Sequence, residues 1–181
     1  MKRLLFLSFL LLPLLAQAQK VNSQEVVTQL VRNLHGGVEI ATINGRQSYH
    51  AYAGTGYKYY FYEQKAYLFP QINLKWGRYD SNVNYSTETA SIAFPVTVGY
   101  DIRLDGLILN AHTGVRYEQI VHTVFNSYTS KVNNAQVGLL GGISMRLSQR
   151  FGISASYYYG LTTLYQNGKG RISSFNFAFL F

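Results

Sequence analysis

From residue 37 onward the chain alternates apolar and polar positions with a period of two, and it keeps that period to its last residue. Successive strand side chains point to opposite faces, so this alternation predicts strands with one apolar and one polar side. Eight are expected: Gly37 to Ile43, Tyr49 to Tyr62, Ala66 to Tyr79, Ser91 to Tyr100, Leu107 to Val121, Ala135 to Leu147, Phe151 to Leu164 and Arg171 to Phe181. Most reach the roughly 9 to 11 residues that a tilted strand needs to cross a bilayer. The last shows the pattern most plainly, with Phe175, Phe177, Phe179 and Phe181 on one face and Ser174, Asn176, Ala178 and Leu180 on the other.

The same two registers run through the other strands. One collects Phe94, Val96, Val98 and Tyr100; Leu107, Leu109, Ala111 and Val115; Val137, Leu139, Ile143 and Met145; and Ile153, Ala155, Tyr157 and Tyr159. The other collects Glu39, Lys58, Asn73, Lys75, Asp101, Asn110, His112, Arg116, Glu118, Gln136 and Arg146, with glycines at 54, 56, 99, 114, 138, 142 and 160. A soluble β-sandwich also alternates, but charges of both signs on its inner face are costly unless paired. Inside a narrow barrel they can pair with one another, and the apolar register then faces lipid. Glu39, Lys58, Lys75, Asp101, His112, Arg116, Glu118 and Arg146 are therefore the candidate lumen charge network.

The connections alternate in length. Glu63-Gln64-Lys65, Arg103 to Gly106 and Ser148-Gln149-Arg150 are tight, whereas Asp80 to Ala90, His122 to Asn134 and Tyr165 to Gly170 are long and polar. Short periplasmic turns and longer outer loops are the asymmetry of an outer-membrane barrel. Asn44-Gly45 departs from it, being a two-residue hairpin signal on the outer side. Pro70 and Pro95 cannot donate to a ladder and lie in strands that would be neighbours, so a local bulge is expected there.

Upstream of the alternation, Asn22 to Leu34 carries a helical pattern, with Asn22 as cap, Glu25 three residues on, a stripe of Val26, Val27, Leu30, Val31 and Leu34, and Gly36 as stop. The same residues admit an extended reading, because Val27, Gln29 and Val31 alternate. Before them, Lys2 and Arg3, the apolar run Leu4 to Leu15 and Ala16-Gln17-Ala18 have the form of a cleaved export signal. The expected organisation is a signal peptide over 1–18, a short, mainly helical periplasmic segment over 19–36, and a barrel over 37–181. In fold class this is all-β, an eight-stranded antiparallel transmembrane barrel with a short N-terminal helical segment.

Composition narrows the chemistry. The 181 residues include 16 tyrosines and 11 phenylalanines but no cysteine, and only 13% are charged. Disulfides, thiolate metal sites and a cysteine nucleophile are excluded. The formal charge of +8 drops to +6 once Lys2 and Arg3 leave with the signal. That charge is scattered and the chain is exported, so nucleic acid is not an expected partner. No nucleophile motif, phosphate loop or metal-ligand spacing is present, and neither a catalytic residue nor a cofactor is expected. His112 lies on the lumen face near Arg116 and Glu118, where pairing is a simpler role than a Ser-His-acid site, since nothing positions a serine beside it. Arg46, Arg78, Lys131, Lys169 and Arg171 fall near outer strand ends, with Tyr49, Tyr79, Tyr128 and Tyr165 as a candidate aromatic girdle. Such cations can meet lipopolysaccharide phosphates through charge-assisted contacts, and an ordinary solvated rim is the alternative.

Several segments also resemble the PorT-like outer-membrane β-barrel family of Bacteroidetes, Gram-negative bacteria. They are LFPQINLKWG at Leu68 to Gly77, IAFPVTVGY at Ile92 to Tyr100, LNAHTGVRY at Leu109 to Tyr117, VGLLGGISMRL at Val137 to Leu147, SYYYGLTTL at Ser156 to Leu164, and the aromatic last strand. The family usually has a glutamate where Gln71 stands here, a departure that weakens any role assigned to a carboxylate at that point. The resemblance implies a small barrel without an assigned activity, related to a member associated with protein secretion and gliding. It also implies that Phe181 is the terminal aromatic recognised by barrel-assembly machinery. The expected function is that of a non-enzymatic outer-membrane protein contacting lipopolysaccharide or protein partners; a narrow channel or a lipid A-modifying enzyme are the alternatives.

Overall fold

In the structure, a computed structural model describing residues 30–61, 65–82, 85–125, 132–147, 151–165 and 170–181, eight strands form one closed antiparallel barrel. They are β1 (Leu30–Ile43), β2 (Arg46–Phe61), β3 (Ala66–Asn82), β4 (Tyr85–Leu104), β5 (Leu107–Phe125), β6 (Ala135–Arg146), β7 (Gly152–Thr163) and β8 (Arg171–Leu180). Each strand pairs with its sequence neighbour, and β1 closes on β8 from His35 opposite Leu180 to Ile43 opposite Ile172. The seam is completed by Phe181, whose N–H donates to the Leu34 carbonyl at 2.8 Å while the Leu34 N–H donates to the Phe181 carbonyl at 3.2 Å. Each strand thus has two neighbours, and none is an edge strand.

The apolar register faces out. Phe175, Phe177, Phe179, Leu139, Ile143, Val96 and Val98 are all exposed, and the polar register of the same strands is buried or half-buried. Among the described residues no helix is long and apolar enough to cross a membrane. The start of β1 and the end of β8 lie at one end of the barrel, the termini end, with the strand ends that flank the connections β2–β3, β4–β5 and β6–β7. The strand ends that flank the other four connections lie at the loop end. There Asn44 and Gly45 both have positive φ, 51° and 79°, as the two-residue β1–β2 turn requires.

Three local expectations change. Leu30–Leu34 is strand rather than the end of a helix, pairing with Tyr59–Thr55 of β2; residues 22–29 lie outside the described residues. The extended reading wins there because β2 is 16 residues long and offers its full edge. Strands β3 and β4 run on to Asn82 and Tyr85, so most of the span expected as the loop Asp80 to Ala90 is ladder. Its Thr87, Thr89 and Ser91 point inward, giving a polar strand where loop composition was read. Finally, the prolines cause no bulge. The β2–β3 ladder skips the pairs opposite Pro70, and the β3–β4 ladder skips those opposite Pro95, yet each resumes in the same register. The register shifts among the described residues lie toward the loop end instead, at Asp80/Asn82, Ala90/Ser91 and Tyr159/Thr163.

Candidate functional site

The lumen is layered. Nearest the loop end, Ile43, Tyr79, Ile120, Val132, Leu164, Tyr165 and Ile172 form a buried apolar cluster. Residues flanking two connections join one another to build it: Val132 bridges to Tyr165, the Asn133 N–H donates to the Leu164 carbonyl at 2.7 Å, and the Leu164 N–H donates to the Gly170 carbonyl at 2.7 Å. Gly170 has φ 76° and lies against the Tyr165 ring. These contacts cap the barrel with side chains.

Below the cap sit four charges of alternating sign. Arg116 Nη1 meets Glu39 Oε2 at 2.9 Å, Arg116 Nη2 meets Glu118 Oε2 at 3.2 Å, and Lys75 Nζ meets Glu118 Oε1 at 2.8 Å and Glu39 Oε1 at 3.3 Å. They come from β1, β3 and β5, and each side chain is 5% exposed or less. Ser91 Oγ adds a hydrogen bond to Glu118 Oε1 at 2.7 Å, Lys75 Nζ donates to Tyr79 Oη at 3.0 Å, and the Arg116 guanidinium lies 3.6 Å from the Tyr158 ring centroid. Gly138, next to β7, makes room for that ring, since a Cβ there would run into it.

The remaining lumen charges form a second tier closer to the termini end. Lys58 Nζ lies 3.5 Å from Asp101 Oδ1 and 4.0 Å from the Tyr67 ring centroid; Tyr60 Oη and Asn110 Nδ2 donate to Asp101 at 2.7 and 2.8 Å. Arg146 donates to Asn33 Oδ1. His112 Nδ1 is 2.9 Å from Asn110 Oδ1, so its partner is an amide rather than Arg116 or Glu118. Ser144 Oγ donates to that same amide oxygen at 3.2 Å. Serine and histidine thus share a neighbour instead of forming a nucleophile and base pair. Among the described residues no group of three or more His, Asp or Glu side chains is arranged to hold a metal.

On the outer surface, Arg78 is exposed opposite Tyr49, and Arg171 is exposed with Nη1 donating to Tyr159 Oη at 2.8 Å. Arg46 is half-buried beside the β1–β2 turn. Lys131, Lys169 and Tyr128 lie outside the described residues. Of the expected girdle, Tyr49 faces out, but Tyr79 and Tyr165 are buried in the cap. Tyr79 follows Lys75 by four residues and so shares its inward face; Tyr165 is turned in beyond the shift between Tyr159 and Thr163. The loop-end aromatics on the outside are Tyr49, Trp76, Tyr117 and Tyr159. Trp76 was legible by its even number on the Ile72 and Leu74 face, though it was not singled out. Tyr57, Tyr59, Phe61, Tyr100 and Phe151 face out nearer the termini end.

A family model described as outer membrane protein beta-barrel domain matches residues 15–166. The chain belongs to this family. It is an outer-membrane β-barrel protein, and solved members of that class share its architecture. The outer membrane enzyme PagL is similar with a TM-score of 0.60 at 10% identity, covering 82% of this chain and 97% of PagL. OprG from Pseudomonas aeruginosa is similar with a TM-score of 0.49 at 9% identity, covering 87% of this chain and 98% of OprG. The attachment invasion locus protein Ail of Yersinia pestis, in complex with the heparin analogue sucrose octasulfate, is similar with a TM-score of 0.49 at 10% identity, covering 84% and 97%. At these identities the likeness is one of fold. No curated protein matches the sequence.

Proposed function

We propose that this outer-membrane barrel is a non-enzymatic membrane protein, closed to solutes, that contacts lipopolysaccharide or a protein partner through its loop end and keeps its termini end in the periplasm. The observation that carries this reading is the outward placement of Arg78 and Arg171 beside Tyr49 and Tyr159. A cation above an aromatic girdle sits where headgroup phosphates lie, and a guanidinium can meet two phosphate oxygens at once. A Ser-His-acid site in the lumen is disfavoured because Asn110 Oδ1 stands between Ser144 and His112. The capped lumen argues against the channel reading.

The test is lipopolysaccharide retention by the purified barrel. The double variant Arg78→Ser/Arg171→Ser is expected to retain several-fold less lipopolysaccharide than the parent while still showing heat-modifiable migration; equal retention argues against the contact. Unchanged lipid A masses on deletion and overexpression are expected of a non-enzymatic role. The resemblance to PorT-like proteins supports two finer readings, a place in that family with a link to secretion, and recognition of Phe181 by barrel-assembly machinery. A deletion strain that retains secreted cargo supports the first; normal export counts against it.

A further inference from the structure

Between the charge quartet and the termini end lies a cavity of about 90 Å³, lined among others by His35, Lys58, Asn73, Arg116, Asn176 and Ala178. A water needs about 10–15 Å³ of such volume, so the cavity has room for several waters, or for one ion of four or five heavy atoms. The quartet and the cap close it toward the loop end, and its lining reaches Asn33 and Leu180 at the other.

Three of its lining side chains hold polar atoms without a hydrogen-bond partner in the protein. Asn176 Nδ2 and Arg116 Nε are donors; His35 Nδ1 is the third. All three residues are more than nine-tenths buried. Native structures pair such atoms, because an unmet buried donor forfeits its hydration. His35 Nε2 donates to Asn73 Oδ1 at 2.8 Å, so the ring is held in place and its Nδ1, in the neutral ring, is an acceptor for a water beside the ion and not a partner of the ion itself. Lys58 Nζ carries three donors and meets Asp101 only at 3.5 Å, which leaves capacity for another acceptor.

The charges set the sign of the missing partner. The quartet cancels internally, two cations against two carboxylates. The tier beside the cavity does not, since Lys58 and Arg146 stand there against Asp101. We propose that the cavity is a binding site for a small oxyanion, a carboxylate or a phosphate, entering from the termini end. Lys58 Nζ supplies the cation on the cavity wall, and the Arg116 and Asn176 side chains on the same wall supply further donors. The ion replaces water that those donors would otherwise order and neutralises the excess positive charge.

The test is a titration of the full chain, refolded in detergent micelles and isotope-labelled, with sodium acetate, with inorganic phosphate and with sodium chloride at constant ionic strength. A saturable shift of His35, Lys58 and Asn176 resonances is expected with at least one oxyanion and not with chloride. Acetate alone identifies a carboxylate site, and phosphate alone a phosphate site. Lys58→Met should weaken binding at least tenfold, and Ala178→Leu, which fills the cavity without altering charge, should abolish it. Heat-modifiable migration checks that each variant is folded. No saturable shift with either oxyanion in the folded parent overturns the proposal and leaves the cavity to water. An undiminished response in both folded variants overturns it as well.

Discussion

Glu39, Lys75, Arg116 and Glu118 are buried side by side, and their worth lies in completeness. Each carboxylate meets both cations, so losing one member leaves a charge that is 5% exposed or less without its full set of partners. Breaking a buried pair costs about 3–5 kcal/mol, whereas an exposed pair contributes about 1 kcal/mol or less. Glu39→Gln is therefore expected to lower stability to guanidinium unfolding by about 3–5 kcal/mol. The double variant Glu39→Gln/Lys75→Met should cost less than the two single changes added together, because the second change removes a charge already short of a partner. Additive losses would mean that Glu39 and Lys75 are not coupled. The membership of this group was legible, since period two puts Glu39, Lys75, Arg116 and Glu118 on one face. Its division from Lys58, Asp101, His112 and Arg146 was not, because alternation assigns a face and not a height. Tyr79 shows the converse, an aromatic read as girdle although the same rule, counted from Lys75, places it inside.

At the level of the strands, the outward face is a band whose energetics depend on depth. Leu74 and Leu104 are both exposed, at 63% and 53%, but Leu74 lies between Trp76 and the Tyr57 and Tyr59 belt while Leu104 borders the turn at Asp105-Gly106. An arginine at the middle of a barrel's lipid face costs about 2–4 kcal/mol and near the interface about 0–1 kcal/mol. Unfolding in phospholipid vesicles is expected to show Leu74→Arg destabilised by about 2–4 kcal/mol and Leu104→Arg by about 1 kcal/mol or less. Equal effects would place the two at one depth. Eight strands and their registers followed from the alternation, whereas strand ends did not. Leu30 to Leu34 fits a helical stripe as well as a strand, and the edge of β2 supplies the partner that decides, with Phe181 meeting Leu34 on the other side. Thr87, Thr89 and Ser91 are polar enough to suggest a loop, yet β-branched threonines suit a strand whose inner face is wet. The prolines are accommodated by skipped pairs because Pro70 and Pro95 fall at nearly the same level of adjacent strands, which confines the missing donors to one patch.

For the whole molecule, the question is whether anything passes through. Eight strands enclose a space that side chains can fill, and here two barriers stand in series. The upper is apolar, from Ile43, Val132, Leu164 and Ile172, and excludes ions because they would shed their hydration among hydrocarbon side chains. The lower is the quartet, whose cations and carboxylates occupy the section between β1, β3 and β5. The parent barrel is therefore expected to give no discrete conductance steps in planar bilayers. Trimming the cap alone, with Ile43→Ala and Leu164→Ala together, should leave it silent, because the quartet still spans the lumen. Adding Glu39→Ala and Arg116→Ala to that pair removes one side chain of each sign from the lower barrier and should produce steps in those molecules that still migrate as folded barrels. Steps in the parent would show that the lumen opens in a membrane. Steps in the cap variant would show that the quartet is no barrier by itself, and that the apolar cap alone keeps the barrel shut.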